Sequence, residues 1–302
     1  MKKFYKSTLI TALICFVLGF GLVAIGAVQG GIQLFLNMVD NNEFAISNGN
    51  FHSLYWIEND GNYEDREYSF PAEEINSLEL DIGASMLEIK YEDTDQYHIL
   101  MRQVPVGYGE CDVENGALYL ETGIESSVIG LGTGKIETNK ITLTIPKNAK
   151  LKDINLTLGA GSCKGKSLCA DTITIEIGAG NLELDRLEAE KTLDLQVGAG
   201  NAEVDAIEAG LLEMECEAGR CIAESVMTKD NIDVTCDAGY LYMEIEGTEK
   251  SYNYDLDCSL GSIEIAGKEH NGMDFSKDID NDADKNLTAE CNVGSIEIEF
   301  ED

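Results

Sequence analysis

Ile154-Asn-Leu-Thr-Leu-Gly-Ala-Gly161, Ile173-Thr-Ile-Glu-Ile-Gly-Ala-Gly180 and Leu193-Asp-Leu-Gln-Val-Gly-Ala-Gly200 repeat one pattern: apolar and polar residues alternate, then a glycine corner follows. The pattern continues as Met214-Glu-Cys-Glu-Ala-Gly219 and Val234-Thr-Cys-Asp-Ala-Gly239. Looser copies are Leu256-Asp-Cys-Ser-Leu-Gly261 and Ala289-Glu-Cys-Asn-Val-Gly294. Between the final glycines the steps are 19, 20, 19, 20, 22 and 33 residues. A period of two argues half-buried strands. One unit is too short to bury its own apolar face, whereas stacked units bury a continuous core. The predicted fold is therefore all-β, a parallel β-solenoid with repeats of about 20 residues. Its corners are Gly161, Gly180, Gly200, Gly219, Gly239, Gly261 and Gly294, where glycine's access to positive φ suits a tight turn. The chain has only 3 Pro, which fits, since proline removes a ladder hydrogen bond.

Register predicts which residues face inward. Three residues before the corner glycine stand Leu158, Ile177, Val197, Cys216, Cys236, Cys258 and Cys291. Two residues after it stand Cys163, Leu182, Ala202, Cys221, Leu241, Ile263 and Ile296, and seven after it Leu168, Leu187, Ile207 and Val226. The outward column reads Thr157, Glu176, Gln196, Glu215, Thr235, Asp257 and Glu290. Upstream, Leu78-Glu-Leu-Asp-Ile-Gly-Ala-Ser-Met-Leu-Glu-Ile-Lys90 is a degenerate copy. Residues 76–302 are thus read as the strand-repeat domain, with an irregular capping part over 76–151 and regular repeats over 152–302.

Before this domain the chain is of another kind. Lys2, Lys3 and Lys6 precede a stretch, 7–39, without a charged residue. Its densest part matches the ~30 Å hydrocarbon thickness of a bilayer. The expected organisation is a cytoplasmic stub (1–6), a transmembrane helix (7–36) and a juxtamembrane linker (37–75), with the bulk of the chain extracellular by the positive-inside rule. A cleaved secretory signal is the alternative, although its apolar region is shorter and ends in a small-residue cleavage site.

Charge excludes further classes. The 302 residues carry 21 basic and 56 acidic side chains, a net −35. With three lysines in the stub, the remainder holds 18 basic against 56 acidic residues, a net −38. Nucleic-acid binders need Lys and Arg to neutralise phosphates, so that class is excluded. The 44% hydrophobic content excludes an acidic disordered tail.

The anchor, the Gly-Ala-Gly corners and the closing Gly294-Ser-Ile-Glu-Ile298 resemble the bacterial putative-adhesin β-strand-repeat family, a domain of unknown function on cell envelopes. The resemblance covers roughly residues 70–302. It implies a membrane-anchored β-solenoid. Related domains occur in proteins implicated in envelope-stress responses to antimicrobial peptides. It supplies no catalytic residues. The cysteines depart from the family's aliphatic columns.

Eight cysteines lie beyond the apolar segment. Cys216, Cys236, Cys258 and Cys291 share one inward column, where neighbouring coils about 4.8 Å apart fall within the disulfide Cα range. They form either disulfides or a ladder of buried thiols serving as small hydrophobes. Zinc is disfavoured, because no Cys-x₂-Cys pair or nearby His accompanies them. Asp278, Asp280, Asp282 and Asp284 alternate, but an EF-hand counted from Asp278 meets Ala283 and Ala289 where Gly and Glu are required. No metal site or cofactor is expected beyond a weak Ca²⁺ association of the acidic surface. The histidines, His52, His98 and His270, are scattered, and no unit sets a nucleophile beside one. An acidic-polysaccharide enzyme would use outward carboxylates together with a basic cluster, for which only Lys164 and Lys166 stand close in sequence.

The binding surface expected from this pattern is Arg220, Ile222, Tyr240 and Tyr242, where aromatics replace the outward Asn, Glu and Ser of other units. Ordinary cross-strand packing is the competing reading. The expected function is that of a non-enzymatic adhesin, partner-binding or envelope-sensing protein with a protein or glycan ligand. A β-helix enzyme and a structural spacer are the alternatives.

Overall fold

Alternating sequence produces strands over most of the described residues between 77 and 301. The computed structural model describes residues 63–105, 109–122, 139–271 and 274–301. The expected stub, transmembrane segment and most of the linker lie outside them. Among the described residues no helix is long and apolar enough to cross a membrane, and there is no α-helix, only two single 3₁₀ turns.

The first strands are β1 (Tyr63–Pro71), β2 (Ser77–Ile82), β3 (Met86–Glu92), β4 (Gln96–Pro105), β5 (Glu110–Glu114), β6 (Ala117–Glu121) and β7 (Lys140–Pro146). The regular repeats give β8 (Asp153–Leu158), β9 (Ser162–Ile177), β10 (Asn181–Val197), β11 (Asn201–Cys216), β12 (Arg220–Thr228), β13 (Ile232–Cys236) and β14 (Tyr240–Glu246). The last are β15 (Tyr252–Cys258), β16 (Ser262–Ile265), β17 (Lys268–Asn271), β18 (Phe275–Ile279), β19 (Lys285–Cys291) and β20 (Ser295–Glu301).

Each coil stacks on its neighbour in parallel register, as Asn181↔Asn201 through Val197↔Cys216 shows for β10 and β11. Buried positions in β10 are 182, 184, 187, 189, 193, 195 and 197. The alternation skips a residue at 185–186 and slips again at 190–192, and these skips turn the chain without breaking its ladder. All three inward columns expected from the sequence are buried, with side chains 0–2% exposed. The outward column from Thr157 to Glu290 contains no buried member.

The first sheet runs β1-β4-β7-β3, then the leading halves of β9, β10 and β11, then β12-β14-β20-β16-β17. The second runs β5-β6-β2-β8, then the trailing halves of β9, β10 and β11, then β13-β19-β15-β18. Every interior pairing from β7 or β6 onward is parallel. At both ends the pairing turns antiparallel, which ends the stack without offering another parallel edge.

Three features differ from the sequence expectation. First, β1 occupies part of the stretch read as linker, pairing antiparallel with β4. Second, coil order is not chain order. The final coil, β19–β20, inserts between β13–β14 and β15–β16, so the long 33-residue step is a hairpin excursion (β17, β18) followed by a return. Likewise β2–β3 lies inside β6–β7. Third, positive-φ glycines are Gly109, Gly116, Gly247 and Gly267, and the repeat corners are not among them. Corner glycines are required by close approach instead: a Cβ on Gly180 would lie 2.5 Å from the Gly161 carbonyl oxygen of the preceding coil. Corners carry the ladder too, with the Ala179 N–H donating to Gly159 at 2.7 Å and Asn181 to Gly161 at 3.0 Å.

Candidate functional site

The outward face of the first sheet brings the four expected binding residues together. Arg220 lies opposite Tyr240, and Ile222 opposite Tyr242, on adjacent strands β12 and β14. Alternation directs them outward because Cys221 and Leu241 between them are buried. The Arg220 guanidinium sits 5.8 Å from the Tyr240 ring centroid, a cation–π contact. The Tyr240 hydroxyl donates to Glu297 Oε2 at 2.7 Å. Burial, followed by this carboxylate partner, pushes the Tyr240 phenol up to about 12, so it remains a donor at neutral pH. Burial also raises Tyr242, with Glu244, Glu299, Glu297 and Glu224 adding to it. The site is therefore an amphipathic patch set among carboxylates. Tyr240's own column continues through Asn201 and Asn181, whose side chains are hydrogen-bonded at 3.1 Å. There a shallow groove of about 450 Å³ opens over the small corner residues Ala160, Gly161, Ala199 and Gly200.

Sequence reasoning missed the other half of this face. Arg102 pairs opposite Lys140, Met86 opposite both Lys140 and Ser162, and Glu88 opposite Lys164. Three distant segments thereby place Lys90, Arg102 and Lys140 beside Lys164 and Lys166. Glu88 lies among them, held by Lys140 at 2.8 Å and Lys90 at 3.3 Å. The hydrogen bond from Lys140 chiefly keeps the Glu88 carboxyl below its usual range. From β10 onward the sign reverses, with Glu183, Glu203, Glu224, Glu244, Glu297 and Glu264 on the same face. Positive and negative halves meet between β9 and β10. No sequence motif signals this basic cluster, because its members come together only through the strand order.

The remaining candidates are placed as follows. Among the described residues no group of three or more His, Cys, Asp or Glu could hold a metal ion. The acidic stretch 278–284 is clasped by Asn253, whose Oδ1 accepts from Asn281 N at 2.9 Å and Ala283 N at 3.1 Å, and whose Nδ2 donates to the Ala283 carbonyl at 2.8 Å. His98 meets Ser69 across β1 and β4, Nδ1 to Oγ 2.9 Å, a contact the sequence reading did not foresee. His270 packs beside Phe275 on the far cap, ring centroids 6.0 Å apart. His52 lies outside the described residues. Cys216, Cys236, Cys291 and Cys258 form one continuous buried column, with Cys291 between Cys236 and Cys258.

The family described as Toastrack DUF4097 matches residues 75–299, and the chain belongs to it. No characterised protein matches in sequence at a significant level. Among solved structures, a putative adhesin from Bacteroides fragilis is 14% identical, with a TM-score of 0.42, covering 78% of this chain and 97% of its own. A putative lipid binding protein from Parabacteroides distasonis is 18% identical (TM-score 0.43; 80% and 98% covered). A putative cell adhesion protein from Clostridium sporogenes is 15% identical (TM-score 0.32; 80% and 100% covered).

Proposed function

We propose that this protein is a membrane-anchored, extracytoplasmic parallel β-solenoid that works without catalysis, as an adhesin or envelope-sensing module binding a partner through the outward face of its first sheet. The observation that carries the reading is the meeting of Arg220, Ile222, Tyr240 and Tyr242 on two in-register strands. Large apolar and aromatic groups held on a rigid sheet give contact area at little entropic cost. The carboxylates around them and the basic block beyond β9 give the face a charge direction that orients a partner. A protein or glycan of the cell envelope is the proposed ligand, with the N-terminal helix as the membrane link.

The test is capture of envelope proteins and glycans by the full chain in detergent micelles, with and without Ca²⁺, compared with an Ile222→Ser/Tyr242→Ser variant. The variant should lose at least tenfold in capture while keeping its strand circular dichroism. Equal capture by both proteins would sink this face as the site. Release of reducing ends from acidic polysaccharide would favour the enzyme reading instead.

A further inference from the structure

Four of the eight cysteines in the described residues face another cysteine and four do not. Cys111 lies opposite Leu120, Cys163 between Leu87 and Leu182, Cys169 opposite Glu188, and Cys221 between Ala202 and Leu241. By contrast, Cys216 stands opposite Cys236, Cys236 opposite Cys291, and Cys291 opposite Cys258. Adjacent strands about 4.8 Å apart set the Cα atoms within the ~4.4–6.8 Å that a disulfide spans. All four are free thiols here, and Cys216 Sγ donates to the Tyr240 carbonyl at 3.7 Å. A cysteine joins only one bridge, so the one pairing of neighbours that uses all four is Cys216–Cys236 with Cys258–Cys291. Corner glycines leave room for the sulfurs. A Cβ on Gly239 would lie 2.5 Å from Cys216 Sγ, and one on Gly294 would lie 2.6 Å from Cys236 Sγ.

We propose that Cys216–Cys236 and Cys258–Cys291 are two disulfide-forming pairs, each bonding neighbouring coils from inside the core, while Cys111, Cys163, Cys169 and Cys221 remain thiols. In the cell this rests on the extracytoplasmic reading, which supplies an oxidant of the disulfide-donating oxidoreductase class. One thiolate of a pair attacks the donor disulfide and forms a mixed disulfide. The second then displaces the donor's sulfur, so the pair loses two protons and two electrons and the donor leaves as a dithiol. All four sulfurs belong to side chains only 0–2% exposed, so exchange precedes closure of the coils. The positions of the pairs are specific. Ile82, Leu158, Ile177 and Val197 fill the same column in coils near the start of the stack. Cys216–Cys236 joins two coils that follow each other in the chain, and Cys258–Cys291 ties the inserted final coil to the coil outside it.

The test is to refold the full chain in detergent with oxidised and reduced glutathione, then unfold it in guanidinium chloride with excess iodoacetamide so that buried thiols are blocked too, and map non-reduced peptides by mass spectrometry. Expected are the Cys216–Cys236 and Cys258–Cys291 linked peptides, with Cys111, Cys163, Cys169 and Cys221 alkylated. Alkylation of all four column cysteines, or a Cys236–Cys291 link, would overturn the proposal. A Cys216→Ser/Cys236→Ser variant should retain the Cys258–Cys291 link. Because glutathione supplies the oxidant, the outcome bears on the pairing whichever compartment holds the protein. Protein that pairs in this assay but emerges fully reduced from cells would count against the localisation alone.

Discussion

Gly239 shows how single residues hold the coils at their spacing. A Cβ there would come within 2.5 Å of both the Gly219 carbonyl oxygen and Cys216 Sγ. The first is backbone and cannot swing aside. Gly239→Ala should therefore destabilise by about 1–3 kcal/mol, the usual cost of forcing an extra methyl into a packed site. Gly178→Ala, whose nearest contact is 3.1 Å, should cost clearly less. Urea unfolding midpoints would check both, and equal costs would refute the inter-coil explanation. Spacing alone marked these positions as glycine corners. The cause was not legible, since the obstructing atom sits one coil away. Asp255 makes a second residue-scale prediction. Burial and then its cross-strand neighbour Asp278 raise its pKa. A carboxyl raised above its unfolded value of about 3.9 holds more protons in the folded state just above that value. Its stabilising contribution is then full at low pH and is lost as pH rises through the folded pKa. Asp278→Asn should remove that part, so the stability difference between variant and wild type should grow in the variant's favour from pH 4 to pH 7. A pH-independent difference in melting temperature would contradict the coupling.

At the scale of elements, interior coils and inserted coils have different roles. The coil spanning 181–200 has in-register copies on both sides, so deleting it lets Gly180 meet Asn201 with every column intact. That deletion should leave a folded chain with cooperative unfolding. Deleting 285–301 instead withdraws β19 and β20 from between two coils, exposing Cys236, Leu241, Ile263 and Cys258 together. It should abolish cooperative unfolding in circular dichroism, and retention of a cooperative transition would disprove the inserted order. The alternation of β8 to β13 was plain in the sequence because each strand has a buried and an open face. The hairpins were not recognised there, although Asn115-Gly116 and Ala266-Gly267 are two-residue turns with positive φ at both positions, the type I′ form. The basic half of the first sheet was illegible for another reason. Lys90, Arg102, Lys140 and Lys164 become neighbours only once β2–β3 is seen to lie inside β6–β7.

For the whole molecule the question is how a net charge of −35 is tolerated on stacked strands. Glu183 faces Glu203, Glu244 faces Glu299, and Glu264 faces Glu297, each one strand spacing apart. Like charges directly opposite one another cost roughly 0.2–1 kcal/mol per pair. At 0.15 M salt the screening length is about 8 Å, so these contacts are eased but not removed, while longer-range repulsion between coils is largely suppressed. The ion pairs that salt would weaken, such as Lys191–Asp171 at 2.8 Å and Arg186–Glu208 at 3.4 Å, are solvent-exposed and contribute little. Repulsion outweighs attraction, and the melting temperature should rise as NaCl increases from 10 to 300 mM. CaCl₂ at equal ionic strength should raise it further if the outward carboxylates hold calcium weakly. Salt also strengthens apolar burial, so the electrostatic origin needs its own control. Glu203→Lys turns the Glu183–Glu203 repulsion into an attraction. It should stabilise the protein at 10 mM NaCl, and its advantage over wild type should shrink toward zero at high salt. An advantage that persists unchanged at high salt would assign the effect to packing or strand propensity and leave the charge ladder without thermodynamic consequence.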